Sequence, residues 1–160
     1  MLDTDKILKD FSEAHVVHVV RNPWSGFADT CKRPFPLSLE RYVWIWNISQ
    51  HLALTYREKY DGRFHIVRFE DLAASPSDTM KGLLQGLGLP MSEQCLHPSF
   101  NGQRLERVHP WGTIVTPTSE ANVATARLLD EEQRQGVRVE ASAMLPSFGY
   151  DTFYADHLAG

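Results

Sequence analysis

The chain predicts an α/β fold with a parallel sheet and a helical carboxyl-terminal region, and three observations carry that prediction. The apolar run Val16-Val17-His18-Val19-Val20 shows no polar alternation, as in a central parallel strand covered on both faces. A long helical pattern and then a second short apolar run, Phe64 to Val67, follow it; strand, helix and strand form a βαβ crossover, whose strands lie parallel with a right-handed connection. Two stretches at the end, Ser119–Arg127 and Asp130–Met144, have helical character without strand-like runs.

In chain order, Asp3 or Thr4 caps a short amphipathic helix through Ile7, Leu8 and Phe11. The first strand follows at His15–Val20. Asn22 then caps a helix that starts at Pro23, where a missing N–H costs nothing, and Pro34 and Pro36 end it. Ser38 precedes a long helix over about Leu39–Tyr60, whose apolar positions include Val43, Trp46, Ala53 and Tyr56; Trp44 and Trp46 lie on different faces, so one is expected in the core. Asp61-Gly62 stops that helix, and Arg63–Phe69 forms the second strand. Pro76 opens a further helix, closed by Gly88 and Pro90. Met91 to Pro117 reads as loop, punctuated by His97-Pro98, Asn101-Gly102 and His109-Pro110-Trp111-Gly112. Residues 1–150 are expected to form a single α/β domain and 151–160 a loosely held tail.

Composition narrows the class. A hydrophobic content of 42% with 22% charged residues is that of a soluble globular domain. The net charge of −4 argues against nucleic-acid binding. No apolar stretch approaches the ~20 residues of a membrane span. Cys31 and Cys95 lack a CxxC or His-rich setting and read as reduced thiols of a cytoplasmic protein, with no metal site.

The chemistry concentrates where the first strand turns into its helix. Arg21 is set beside the open N–H groups of a helix start, at the carboxyl end of a strand, and both features favour anions. A phosphate-bearing ligand is the first expectation. The second strand also ends in a polar cluster, Arg68-Phe69-Glu70-Asp71, where an aromatic ring can lie flat on a base; on those residues alone, a core phenylalanine beside solvated carboxylates is the stronger reading.

Together, Val-Arg-Asn-Pro after the first strand, a long helix, Val-Arg-Phe-Glu-Asp-Leu after the second and a helix closing on Gly-Leu-Gly-Leu-Pro resemble the sulfotransferase family. Those enzymes move a sulfuryl group from 3′-phosphoadenosine 5′-phosphosulfate (PAPS) to a hydroxyl or amine. The resemblance runs from about His15 to Pro90 and continues weakly through Leu129-Asp130-Glu131-Glu132 and Phe148-Gly149-Tyr150. It implies a partial P-loop-type three-layer α/β/α domain that binds a nucleotide co-substrate and a small-molecule or glycan acceptor. It also implies residue roles. Arg21 matches the arginine that grips the 3′-phosphate, a task suited to a planar bidentate fork. Phe69 stands where the family usually has an adenine-contacting tyrosine, and Ser99-Phe100 resembles a pair that closes over the base.

Two departures stand out. Where the family has a serine ligand for the 3′-phosphate, this chain has Asp29, and a carboxylate beside a phosphate is repelled by about 4 kcal/mol per unit charge at 4 Å and an effective dielectric near 20. Either the helix is reregistered so that Ser25 or Thr30 donates, or Asp29 points away, or the site no longer prefers this ligand. The family's glycine-rich phosphosulfate loop and its catalytic base should precede the first strand, and no such loop is readable here. The chain is therefore expected to be the carboxyl-terminal part of a PAPS-dependent sulfotransferase, inactive alone, with its catalytic residues unassigned and an exposed sheet edge that supports self-association. The alternative is a non-catalytic nucleotide-binding or assembly module that kept the fold; a P-loop kinase-like protein is disfavoured by the absent Walker lysine.

Overall fold

The computed structural model describes residues 3–97, 99–101, 103–104 and 118–159. It is mixed α/β, predominantly helical, with a small parallel sheet, and it divides into two compact units, Met1–Val20 with Ser49–Arg104 and Arg21–Ile48 with Leu105–Gly160.

The first unit contains α1 (Thr4–Asp10), β1 (Val16–Val20), the second half of a long helix described below, β2 (Phe64–Arg68), α4 (Phe69–Ala74) and α5 (Pro76–Gly86). β1 and β2 run parallel, with Val16 opposite Phe64 and Val20 opposite Arg68. Leu8, Ala53 and Phe64 form the core, with Val16, Tyr56 and Ile66 packed against it. Asp5 anchors α1: its carboxylate receives the Lys59 ammonium, Lys9 at 2.6 Å and the Tyr60 hydroxyl at 2.6 Å. These donors, Lys59 foremost, hold its pKa well below the usual carboxylate range. Gly88 ends α5 at φ +68°; its N–H donates to Gln85 O and that of Leu89 to Leu84 O, the paired closure that a left-handed residue permits.

The second unit contains α2 (Pro23–Cys31), the first half of α3 (Leu39–Lys59), α6 (Ser119–Ala126), α7 (Glu131–Glu140) and α8 (Phe153–His157). α7 starts with the reciprocal Asp130–Gln133 capping pair. Trp24, Val43, Val137 and Tyr150 are fully buried, and Trp46 meets Phe148 edge-on at 6.4 Å.

Several expectations change. β1 is not covered on both faces: Val17 and Val19, which share one face, are 40% and 54% exposed. The second strand stops at Arg68, and Phe69 opens α4, whose first turn carries Glu70 and Asp71, carboxylates that suit a helix start. The stretch read as loop holds a short hairpin, β3 (Ser99–Phe100) with β4 (Gln103–Arg104), turning at Asn101 with φ +50°. Residues expected to form a loose tail make α8, with Phe153, Tyr154 and Leu158 buried and Phe153 stacked on Trp24 at 5.4 Å. Of the tryptophans on α3, Trp46 is in the core and Trp44 is 65% exposed. Pro98, Gly102, His109 and Trp111 lie outside the described residues.

Candidate functional site

Arg21 follows directly on β1, and the local sequence then builds a tightly capped helix. The Asn22 side chain accepts the Ser25 N–H at 2.8 Å, and Pro23 takes the first helical position. Asn22 and Ser25 are fully buried. The Trp46 indole N–H donates to the Arg21 carbonyl at 3.0 Å, so the backbone at the arginine is fastened by α3.

The guanidinium is fastened as well. Arg21 Nε donates to Asn122 Oδ1 at 2.7 Å, and Nη1 donates to Asp29 Oδ2 at 2.5 Å. The other Asp29 oxygen accepts from Lys32 Nζ at 2.8 Å. Arg21 and Asp29 are each about one-fifth exposed, so this pair is screened less than a surface bridge. The Asp29 carboxylate therefore does not point away but sits on Arg21 itself, an arrangement the sequence alternatives for Asp29 did not include. Two cations around one carboxylate leave the cluster with an excess positive charge.

Ser25 and Thr30, the substitute donors, are occupied. Ser25 Oγ donates to Asn122 O at 2.8 Å and Thr30 Oγ1 to Gly26 O at 3.1 Å. Each hydroxyl has one proton to give, and here a backbone carbonyl receives it. Tyr42 lies over the same turn. A Cβ on Gly26 would stand 2.1 Å from its hydroxyl oxygen, so glycine is required for α2 and the first half of α3 to approach so closely. Burial raises the Tyr42 pKa well above its ordinary value, with Asp29 adding to the shift and Arg21 and Arg33 opposing it.

The remaining expected site residues belong to the first unit. Phe69 is half-buried at the start of α4, where Arg68 Nη1 donates to Asp71 at 3.2 Å. Ser99 is exposed in the hairpin, paired in register with Arg104, and Phe100 pairs with Gln103. Arg21 thus lies just before α2, Ser25 in its first turn and Asp29 and Thr30 in its last turn, with Asp29 reaching back to Arg21; Phe69 and the Ser99-Phe100 pair are placed on two further elements. Sequence reasoning missed Asn122, whose side chain aims Arg21 and whose carbonyl holds Ser25. A buried asparagine in the first turn of a helix carries no signal that would have marked it.

A family model described as the sulfotransferase family matches residues 1–93. The chain belongs to the sulfotransferase family. Its matched part includes β1, Arg21, Asp29 and Phe69, while Asn122, which orients the arginine, lies beyond it. No curated protein and no solved structure matches this sulfotransferase-family chain. Among its described residues, no helix is long and apolar enough to cross a membrane, and no group of three or more His, Cys, Asp or Glu side chains is placed to hold a metal ion.

Proposed function

We propose that this chain provides the 3′-phosphate side of a PAPS site in a cytoplasmic sulfotransferase, with Arg21 as the phosphate clamp and Phe69 and Ser99-Phe100 as candidates for the adenine side. Family membership supports sulfuryl transfer in general. The observation that carries the finer reading is the carboxylate already seated on Arg21 at 2.5 Å: the guanidinium is held in place with an anion on it. A 3′-phosphate fits by displacing Asp29, which keeps Lys32 as its partner, and the excess positive charge of the cluster then meets the greater negative charge of the phosphate. Nucleotide binding and orientation are the contributions these residues make; the acceptor is a hydroxyl or amine of a small molecule or glycan.

A second reading, a nucleotide-free assembly module, is favoured by the same contact if Asp29 neutralises Arg21 permanently. Calorimetric titration with 3′-phosphoadenosine 5′-phosphate separates the two. The wild-type chain should bind, and Arg21→Ala should weaken binding by about 2–4 kcal/mol, the contribution of a charge-assisted bidentate pair. Arg21→Lys, which keeps the charge without the fork, should fall between them. Equal affinity in all three, with cooperative melting retained, would remove Arg21 from the site.

A further inference from the structure

Ser25 and Thr30 have spent their protons on the carbonyls of Asn122 and Gly26, and Asp29 has none to give when ionised. One further hydroxyl stands at the cluster. Tyr42, on the first half of α3, sets its oxygen over Gly26, so closely that a Cβ there would lie 2.1 Å away. Gly26 is one turn before Asp29 on α2 and shares its face, and its N–H donates to the carbonyl of Asn22, the residue after Arg21. The hydroxyl is therefore held alongside the contact between Arg21 and Asp29. Its electrostatic surroundings agree, since the charges that act on it are those of Arg21, Asp29 and Arg33. The ring is fixed from behind by Phe27, with centroids 5.5 Å apart.

We propose that Tyr42 is a second ligand of the 3′-phosphate, donating its O–H to one phosphate oxygen while Arg21 pairs with others. It supplies from α3 the neutral donor that α2 lacks. Among the described residues the hydroxyl meets no hydrogen-bond partner. A hydroxyl shielded from water and left unmet costs stability, so a phenylalanine would pack here at least as well. A tyrosine makes sense if its partner arrives with the ligand. Burial first, and Asp29 with it, hold the phenol protonated against the opposing charges of Arg21 and Arg33, and only the protonated form can donate. A phosphate that displaces Asp29 keeps a negative charge beside the phenol, so the proton stays in place, and an O–H to an ionised acceptor is among the stronger hydrogen bonds.

The inference rests on the nucleotide reading and deepens it, and one set of titrations separates the two. Wild type, Arg21→Ala, Tyr42→Phe and the double variant are titrated calorimetrically with 3′-phosphoadenosine 5′-phosphate and with adenosine 5′-phosphate, which lacks the 3′-phosphate. Tyr42→Phe should weaken the first ligand at least about tenfold, the scale of a hydrogen bond to a charged acceptor. It should leave the second unchanged and the melting temperature no lower. In the Arg21→Ala background the same substitution should matter less, because the phosphate is no longer held at the hydroxyl. A wild type that binds neither nucleotide, or both equally, would overturn the nucleotide reading and this inference with it. Loss of the 3′-phosphate preference in Arg21→Ala, with the preference intact in Tyr42→Phe, would keep the clamp and remove Tyr42 from it. Equal weakening of both nucleotides by Tyr42→Phe would also overturn the assignment, leaving Tyr42 a packing role alone.

Discussion

At the scale of single residues, Asp29 is the test of the proposed phosphate clamp. Its carboxylate occupies Arg21, and on the proposed reading it must leave before an anion can enter. Asp29→Ser should therefore tighten 3′-phosphoadenosine 5′-phosphate at least tenfold, about 1.4 kcal/mol, and the gain should shrink as salt rises. Calorimetry at two ionic strengths checks both; a loss of affinity would mean that the carboxylate has a positive role in aiming Arg21 or Lys32. The place of Arg21 between a strand and a proline-started helix was readable, as was the Asn22 cap, because both follow from local backbone chemistry. The contact between Arg21 and Asp29 was not, since a spacing of eight residues allows several side-chain directions. Asn122 could not be found at all, because its role is set by packing across 101 residues of chain.

At the scale of elements, the approach of α2 to the first half of α3 rests on one absent side chain. Gly26→Ala would drive a methyl into the Tyr42 hydroxyl, and overpacking of this kind costs about 1–3 kcal/mol. Tyr42→Phe removes the clashing oxygen and leaves ring carbon Cζ at 3.3 Å, so the double variant should recover most of the loss in chemical denaturation. Independent, additive effects would show that the two helices do not meet there. The extent of α3 was legible, from Leu39 to within a residue of its observed end at Lys59, because Ser38 and Asp61-Gly62 bracket a long helical pattern. α4 was hidden: it is six residues long, too short for periodicity to separate from a turn. The exposure of β1 was hidden too, since an unalternating valine run suggests cover on both faces.

At the scale of the whole molecule, the last residues are structural. Deleting residues 151–160 would uncover Trp24 and remove the burial of Phe153, Tyr154 and Leu158, so stability should fall by at least about 3 kcal/mol, read as a lower denaturation midpoint. An unchanged midpoint would make α8 dispensable. The Tyr154 hydroxyl also donates to Glu131 at 2.5 Å, which, with Gln135 assisting, lowers the carboxyl pKa. A carboxyl with a depressed folded pKa stabilises above its ordinary range and loses that contribution as pH falls through the depressed value, so Tyr154→Phe should flatten the acid limb of the stability curve. The tail was misread because its aromatics show no period; their partner, Trp24, is far away in sequence. That distance has a further meaning during synthesis. Asn122 is synthesised 101 residues after Arg21, roughly 5–20 s later at ordinary elongation rates. For that interval the nascent arginine can meet its carboxylate but lacks the amide that aims it.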